Sequence, residues 1–134
     1  MQTYINHELE TSLEGQKSRD LVMSSLKALV RLNRKLTVEN LWLYVLACLM
    51  NGPTYAYDVR RRIRKMFGFN PSTITLYTVI YKLSKEGLVR VAREQPKTYE
   101  ITEEGKKTLE EAVKFVERNI NKIKEIMSNS TEGK

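Results

Sequence analysis

Hydroxyl and amine side chains share one face of the stretch 72–89. At about 3.6 residues per turn, Thr75, Thr78, Lys82 and Lys85 fall on one side of a helix. Such groups form hydrogen bonds to base edges and to phosphate oxygens. We therefore predict a recognition helix, whose candidate DNA-contacting residues are Ser72, Thr73, Thr75, Tyr77, Thr78, Lys82 and Lys85. An ordinary amphipathic helix with a solvated polar face is the alternative.

The opposite face of this helix is apolar and indicates how the helix is held. Leu76, Ile80 and Leu83 recur at helical spacing and are predicted to be buried. Gly87 is suited to end the helix, and Leu88-Val89 then begins a strand. Helix, glycine and strand in this order are typical of a winged helix-turn-helix.

Basic residues lie on both sides of the predicted recognition helix. Thr54 is predicted to cap a helix over about 55–66 that contains the run RRRIRK. A hairpin of residues 88–93 and 97–101, turning at Gln95-Pro96, follows the recognition helix. The predicted phosphate contacts on the helix are Tyr57, Arg60, Arg61 and Arg64. The predicted contacts of the wing to the DNA backbone or minor groove, on or near the hairpin tip, are Arg90, Arg93 and Lys97. A solvated charged face is the alternative for RRRIRK.

The net charge of +7 is concentrated in the middle of the chain. Residues 37–101 hold ten Lys/Arg against five Asp/Glu, a balance of +5, whereas residues 1–36 carry +2 and residues 102–134 are neutral. This distribution favours a polyanionic partner for the central segment.

Several classes of function lack the residues that they need. With one histidine (His7) and one cysteine (Cys48, in an apolar run), a zinc site within one chain is not expected. No catalytic set and no glycine-rich phosphate loop is visible, so we expect neither an enzyme nor a cofactor. No apolar run reaches about eighteen residues and no signal-peptide pattern is visible, which predicts a cytoplasmic protein without a membrane partner.

The sequence before the basic helix predicts three further elements. Residues 1–16 indicate a marginal helix or a disordered arm, and residues 18–36 an amphipathic helix that covers its own domain or a partner chain. Thr37 is predicted to cap a core helix over about 38–51, with Trp42 in the core.

The last predicted helix begins after Thr102 and has a regular apolar stripe. The stripe has the heptad steps of four and three and consists of Leu109, Val113, Val116, Ile120, Ile123 and Met127. We predict that it forms a homodimer seam; packing only against its own domain is the alternative.

Three stretches of the chain resemble the PadR family of transcriptional regulators. Residues 41–60 resemble the first two helices of the family, with Gly52-Pro53 at the turn. Residues 75–88 contain groups similar to its recognition-helix pattern (TLY, KL and EGL), and residues 99–105 match its run Y-x-I-T-E-E-G. Together these patterns span about residues 41–109.

The resemblance implies a DNA-binding homodimer, usually a repressor, and leaves a small aromatic effector open. Ligand-binding members can use a tryptophan on the C-terminal helix, but the only one here is Trp42. Ala56 and Ile74 stand where glycine is common, and Thr78 where proline is common. Ile74 and Tyr81 flank the outward face of the recognition helix, so a base preference does not carry over from the family.

These observations predict a mainly α (α+β) fold. It is a winged helix-turn-helix with a two-stranded wing, an extra N-terminal helix and a long C-terminal dimerisation helix. The predicted domains are an arm and helix (1–36), the winged helix (37–102), the dimerisation helix (103–127) and a flexible tail (128–134). The predicted function is a sequence-specific transcriptional regulator, a repressor that binds an inverted-repeat operator as a homodimer. A winged-helix module that binds a protein partner is the alternative.

Overall fold

The computed structural model of the protein, which describes residues 26–132, is mainly helical with one two-stranded antiparallel sheet. This architecture confirms the predicted fold class. The elements are α1 (Lys27–Leu36), a 3₁₀ turn (Val38–Asn40), α2 (Leu41–Leu49), α3 (Ala56–Phe67), α4 (Thr73–Lys85), β1 (Val89–Glu94), β2 (Lys97–Ile101) and α5 (Glu103–Glu132). The arm predicted over 1–16 and the start of the helix predicted over 18–36 lie outside the described residues.

The described part of the chain divides into two units, and the boundary between them lies between residues 39 and 40. In the first unit, α1 ends at Thr37, whose hydroxyl donates a hydrogen bond to the Asn33 carbonyl oxygen at 2.7 Å. Threonine hydroxyls commonly bond back to the preceding turn in this way. The prediction that Thr37 caps the next helix was therefore wrong; α2 begins at Leu41, after the 3₁₀ turn.

The core of the second unit forms around α2, which packs against α3, α4, α5 and β2. Because α2 is apolar on most sides, it buries side chains toward several neighbours at once. Trp42 packs against this core, as predicted. Cys48 is a buried free thiol, and burial raises its pKa above the ordinary value. The buried apolar residues are Leu41, Val45, Leu46, Cys48, Leu49, Ala56, Val59, Ile63, Leu76, Ile80, Leu83, Val89, Tyr99 and Ile101.

The wing is anchored to the helical body at its base. β1 pairs with β2 from Val89 opposite Ile101 to Glu94 opposite Lys97, and the register shifts between Val91 and Arg93. Tyr99 also exchanges two backbone hydrogen bonds with Thr54, of 2.8 and 3.0 Å. A short hairpin is marginal by itself, so this bridge helps to hold the wing in place.

Gly87 turns the chain from α4 into the wing. Its φ of 78° lies in the left-handed region, where glycine has no steric penalty. The Leu88 amide donates a hydrogen bond to the Leu83 carbonyl oxygen at 2.9 Å, and the Gly87 amide donates one to the Ser84 carbonyl oxygen at 3.1 Å. These two bonds form a Schellman motif, which confirms the predicted role of Gly87 as the residue that ends the helix.

The last helix, α5, is capped as predicted. The Gly105 amide donates to Thr102 Oγ1 at 3.0 Å, and this hydroxyl donates to the Gly87 carbonyl oxygen at 2.6 Å. The helix continues to Glu132 rather than ending at Met127, so the tail predicted from residue 128 is helical up to that point. The longer helix follows from residues 128–132 lacking a glycine or proline that would end it.

Most of the apolar stripe on α5 is exposed. Leu109 packs against the core of its own unit, but every described residue from Val113 to Ser130 is exposed. The stripe residues Val113, Val116, Ile120, Ile123 and Met127 are between 38% and 64% exposed. Packing within the unit therefore accounts for the start of the stripe and not for the rest.

No helix between residues 26 and 132 combines the length and the apolarity that a membrane span requires.

Candidate nucleic-acid interface

The predicted recognition helix, α4, is capped and buried along one side. The Ser72 hydroxyl accepts a hydrogen bond from the Thr75 amide at 3.1 Å, which satisfies a free donor of the first turn. Leu76, Ile80 and Leu83 are buried, as predicted. This side of α4 faces α2 and α3, so the opposite side is left to the solvent.

The exposed side of α4 carries the predicted polar side chains and the two large side chains expected beside them, Ile74 and Tyr81. Thr73, Thr78, Lys82 and Lys85 are exposed, and Tyr77 is half exposed, but Thr75 is only partly exposed. The most exposed large apolar or aromatic side chain of the helix is that of Ile74, at 81%, followed by that of Tyr81 at 62%. The Lys85 ammonium lies 5.4 Å from the centre of the Tyr81 ring, within range of a cation–π contact.

The hydroxyl groups of α4 are already partly engaged. Thr78 Oγ1 donates to the Ile74 carbonyl oxygen at 2.8 Å, so it offers acceptor lone pairs to a ligand and no free hydrogen. Ser72 donates to Thr75 Oγ1 at 2.8 Å, and the Thr75 hydroxyl keeps its own hydrogen to donate. Ser72 acts mainly as the cap of the helix in this arrangement.

The predicted phosphate-binding residues on α3 differ in their surroundings. Arg60 Nε donates to the Pro71 carbonyl oxygen at 2.7 Å and so ties α3 to the residue before the cap of α4. Arg61 is paired with Asp58 at 2.6 Å. Arg64 and Tyr57 are exposed, and within residues 26–132 no ion pair of Arg64 is found.

Asp58 is a buried carboxylate that our reading of the sequence missed. Its Oδ2 accepts a hydrogen bond from Thr54 Oγ1 at 2.8 Å and lies 3.0 Å from Arg62 Nε, and its Oδ1 accepts a hydrogen bond from Arg61. Arg62 also donates to the Cys48 carbonyl oxygen at 3.1 Å, at the end of α2. The spacing of Asp58 from Arg61 and Arg62, three and four residues, was the available signal.

These partners decide the protonation state of Asp58. Burial by itself raises the pKa of the carboxyl, but the hydrogen bonds from Arg61 and Thr54 and the charges of Arg62 and Arg61 outweigh it. The pKa of Asp58 therefore lies below its ordinary value, and the group is ionised at neutral pH. The prediction that Thr54 caps this helix was wrong: the residue at the N-cap position of α3 is Tyr55, whose side chain makes no capping hydrogen bond. The Thr54 hydroxyl instead donates a hydrogen bond to the Asp58 carboxylate.

The wing residues also differ from one another. Arg90 lies opposite Glu100 and forms an ion pair with it at 2.8 Å, so it stands nearer the base of the hairpin than predicted. Arg93 and Lys97 lie at the tip and are exposed. The Lys97 ammonium lies 5.9 Å from the centre of the Tyr99 ring. The tip therefore presents two cations without an acidic partner among the ion pairs of the described residues.

Across the described part of the chain, no three His, Cys, Asp or Glu side chains are grouped so that they could hold a metal ion. The chemistry that this surface offers is hydrogen bonding, apolar contact and positive charge. These are the interactions that nucleic-acid-binding proteins use on base edges and phosphates.

Comparison with known proteins identifies the family. Residues 45–111 match the family model of the transcriptional regulator PadR-like family, which is half of the chain. No curated protein sequence matches at a significant level.

Solved structures share the fold. A transcriptional regulator from Clostridium thermocellum is 27% identical, with a TM-score of 0.51 over 60% of this chain and 89% of the other. A PadR family transcription regulator from Clostridium difficile is 22% identical, with a TM-score of 0.51 over 61% and 95%. A winged-helix DNA-binding protein from STIV is 23% identical, with a TM-score of 0.52 over 60% and 89%. The family is one of transcriptional regulators rather than enzymes, and this chain, with its winged-helix fold, belongs to the PadR-like family.

Proposed function

We propose that the protein is a sequence-specific DNA-binding repressor that occupies an inverted-repeat operator as a homodimer. The observation that carries the proposal is the outward face of α4, on which Thr78, Lys82 and Lys85 are exposed while the opposite face is buried in the core. A helix held in this way can enter a major groove without losing its own packing. Membership of the PadR-like family supports a role in transcription.

Positive charge on both sides of α4 supports DNA as the partner. Arg64 lies on the preceding helix, and Arg93 and Lys97 lie at the tip of the wing. Cations in these places are suited to the two backbones that border a groove, or to the adjacent minor groove. Arg60, Arg61 and Arg90 have partners within the chain, so we assign their first role to positioning α3, α4 and the wing.

The exposed stripe of α5 supports a homodimer. Two copies of a heptad stripe pack against each other in a coiled-coil seam, and removing these side chains from water favours association. A two-fold dimer would present two recognition helices about 34–36 Å apart, which is one turn of DNA. Such a dimer reads an inverted repeat.

The test is to select bound duplexes from a random pool and then to measure affinity against salt concentration. We expect an inverted repeat to emerge, and log K to fall with log salt by about 0.9 per neutralised phosphate. A shallow salt dependence together with no selected sequence would contradict the proposal and favour a module that binds a protein partner.

Two lysine variants test the role of α4. Lys82→Ala should weaken binding to the selected site by about 1–3 kcal/mol and binding to random duplexes much less, because Lys82 is proposed to contact bases. Lys122→Ala is the matched control, since Lys122 is equally a lysine exposed on a helix but lies on α5. If both variants bind the selected site equally well, Lys82 does not contact the bases.

A further inference from the structure

Ile74 is an apolar side chain displayed where a DNA-reading helix meets the bases. It lies in the first turn of α4, two residues after the capping Ser72, and is 81% exposed. It takes no part in the buried stripe of the helix, and it exceeds every other exposed large apolar side chain among the described residues in exposure. Burial within its own chain therefore does not account for it.

The neighbour of Ile74 on the same ridge is Thr78, one helical turn later. The contact between them is direct, because Thr78 Oγ1 donates to the Ile74 carbonyl oxygen at 2.8 Å. This bond occupies the hydroxyl hydrogen of Thr78, so its methyl group and acceptor lone pairs remain for an outward contact. The ridge formed by Ile74 and Thr78 is thus poor in free donors at the N-terminal end of the recognition helix.

The chemistry of base edges selects a partner for such a ridge. In the major groove thymine alone among the four bases carries a methyl group, and aliphatic side chains contact it favourably. An isoleucine placed against the amino group of cytosine or adenine would remove that group from water without giving it a hydrogen bond. The N-terminal residues of a recognition helix are the ones that contact base edges.

We propose that Ile74 is a specificity-determining residue that reads the C5-methyl group of one thymine in each half of the operator. The inference rests on the proposed function, because it needs α4 to enter the major groove. It goes further, because it assigns the chemical group that is read and the residue that reads it.

The test combines variants of the protein with removal of single methyl groups from the selected operator. Each symmetric pair of thymines is replaced in turn by deoxyuridine, which lacks only the methyl group, and affinity is measured by fluorescence anisotropy. At one pair, the affinity of the wild-type protein should fall about 4-fold for each methyl group removed, because burying one carbon group contributes about 0.8 kcal/mol. Removal of both methyl groups, one in each half-site, should lower the affinity about 15-fold. Ile74→Ala should be insensitive to that replacement, whereas the conservative Ile74→Val should keep most of the sensitivity.

The outcomes separate this inference from the proposed function. If the wild-type protein selects a defined operator but every thymine replacement affects wild type and Ile74→Ala equally, the role of Ile74 is refuted and the DNA-binding proposal stands. If no operator is selected, both fail. Equal melting temperatures for Ile74→Ala and wild type are expected, since the side chain is exposed, and they would show that a loss of affinity is not a loss of folding.

Discussion

Gly105→Ala should destabilise the protein, although alanine is the better helix former. Gly105 lies in the first turn of α5, where a Cβ atom would overlap the Leu88 carbonyl oxygen. The same atom would lie 2.7 Å from Ile101 Cγ1 and 3.1 Å from the Leu88 carbonyl carbon. The Leu88 carbonyl cannot move freely, because it accepts the Thr102 amide at 3.0 Å.

The expected magnitude follows from three opposing effects. Replacing a glycine within a helix by alanine raises the stability by about 1 kcal/mol, because alanine has the higher helix propensity. Overpacking costs about 1–3 kcal/mol, and weakening the bond from Thr102 to Leu88 costs about 1 kcal/mol more. The free energy of unfolding should therefore fall by about 1–3 kcal/mol, and the melting temperature by about 4–8 °C for each kcal/mol.

Urea unfolding followed by circular dichroism measures this change. The transition midpoint should fall while its slope stays the same, because the surface exposed on unfolding is unchanged. Asn119→Ala is the matched control: it places alanine at an exposed position of α5 and should change stability by only a few tenths of a kcal/mol. A Gly105→Ala protein as stable as wild type would refute the close approach of α5 to the end of α4.

Two further predictions concern the buried carboxylate and the exposed stripe. The pKa of Asp58 is lower in the folded state than in the unfolded state, where it is about 3.9. The ionised carboxylate therefore stabilises the fold above about pH 3.9, and this stabilisation is lost as the pH falls through the pKa of the folded state. Asp58→Asn should lower the free energy of unfolding by about 1–3 kcal/mol at pH 7. Urea unfolding should show that the difference in stability from wild type narrows below about pH 4. A difference that does not depend on pH would contradict the stabilising role of the ionised carboxylate. Ile120→Glu with Ile123→Glu replaces four half-exposed isoleucines in the proposed dimer, at about 1 kcal/mol each. The dissociation constant of this dimer, measured by sedimentation, should therefore rise about a thousandfold. Asn121→Glu with Lys122→Glu is its control, and a dimer that survives the isoleucine changes would place the seam elsewhere, with residues 18–36 as the next candidate.

Interactions between near neighbours in the chain could be predicted from the sequence. The buried stripe of α4, the capping role of Thr102 and the glycine that ends α4 all depend on residues within one or two helical turns. Local spacing determines them because a helix or a turn forms the same contacts wherever it lies. The ion pairs of Asp58 with Arg61 and Arg62 belong to this class as well, and the sequence contained their signal.

The tertiary structure decided which polar groups remain available to a ligand. The sequence showed a run of arginines, but only the packing of α3 brings Arg60 to the Pro71 carbonyl and Arg62 to the Cys48 carbonyl, eleven and fourteen residues away. A long arginine side chain can reach many partners, so its role depends on which elements lie within its reach. The sequence placed Ile74 beside the outward face of α4, but only the packing of α4 against α2 and α3 shows that its side chain is 81% exposed. By itself, therefore, the sequence determined the helices, the wing and the sign of the charge; the fold determined which side chains on that surface are free to bind.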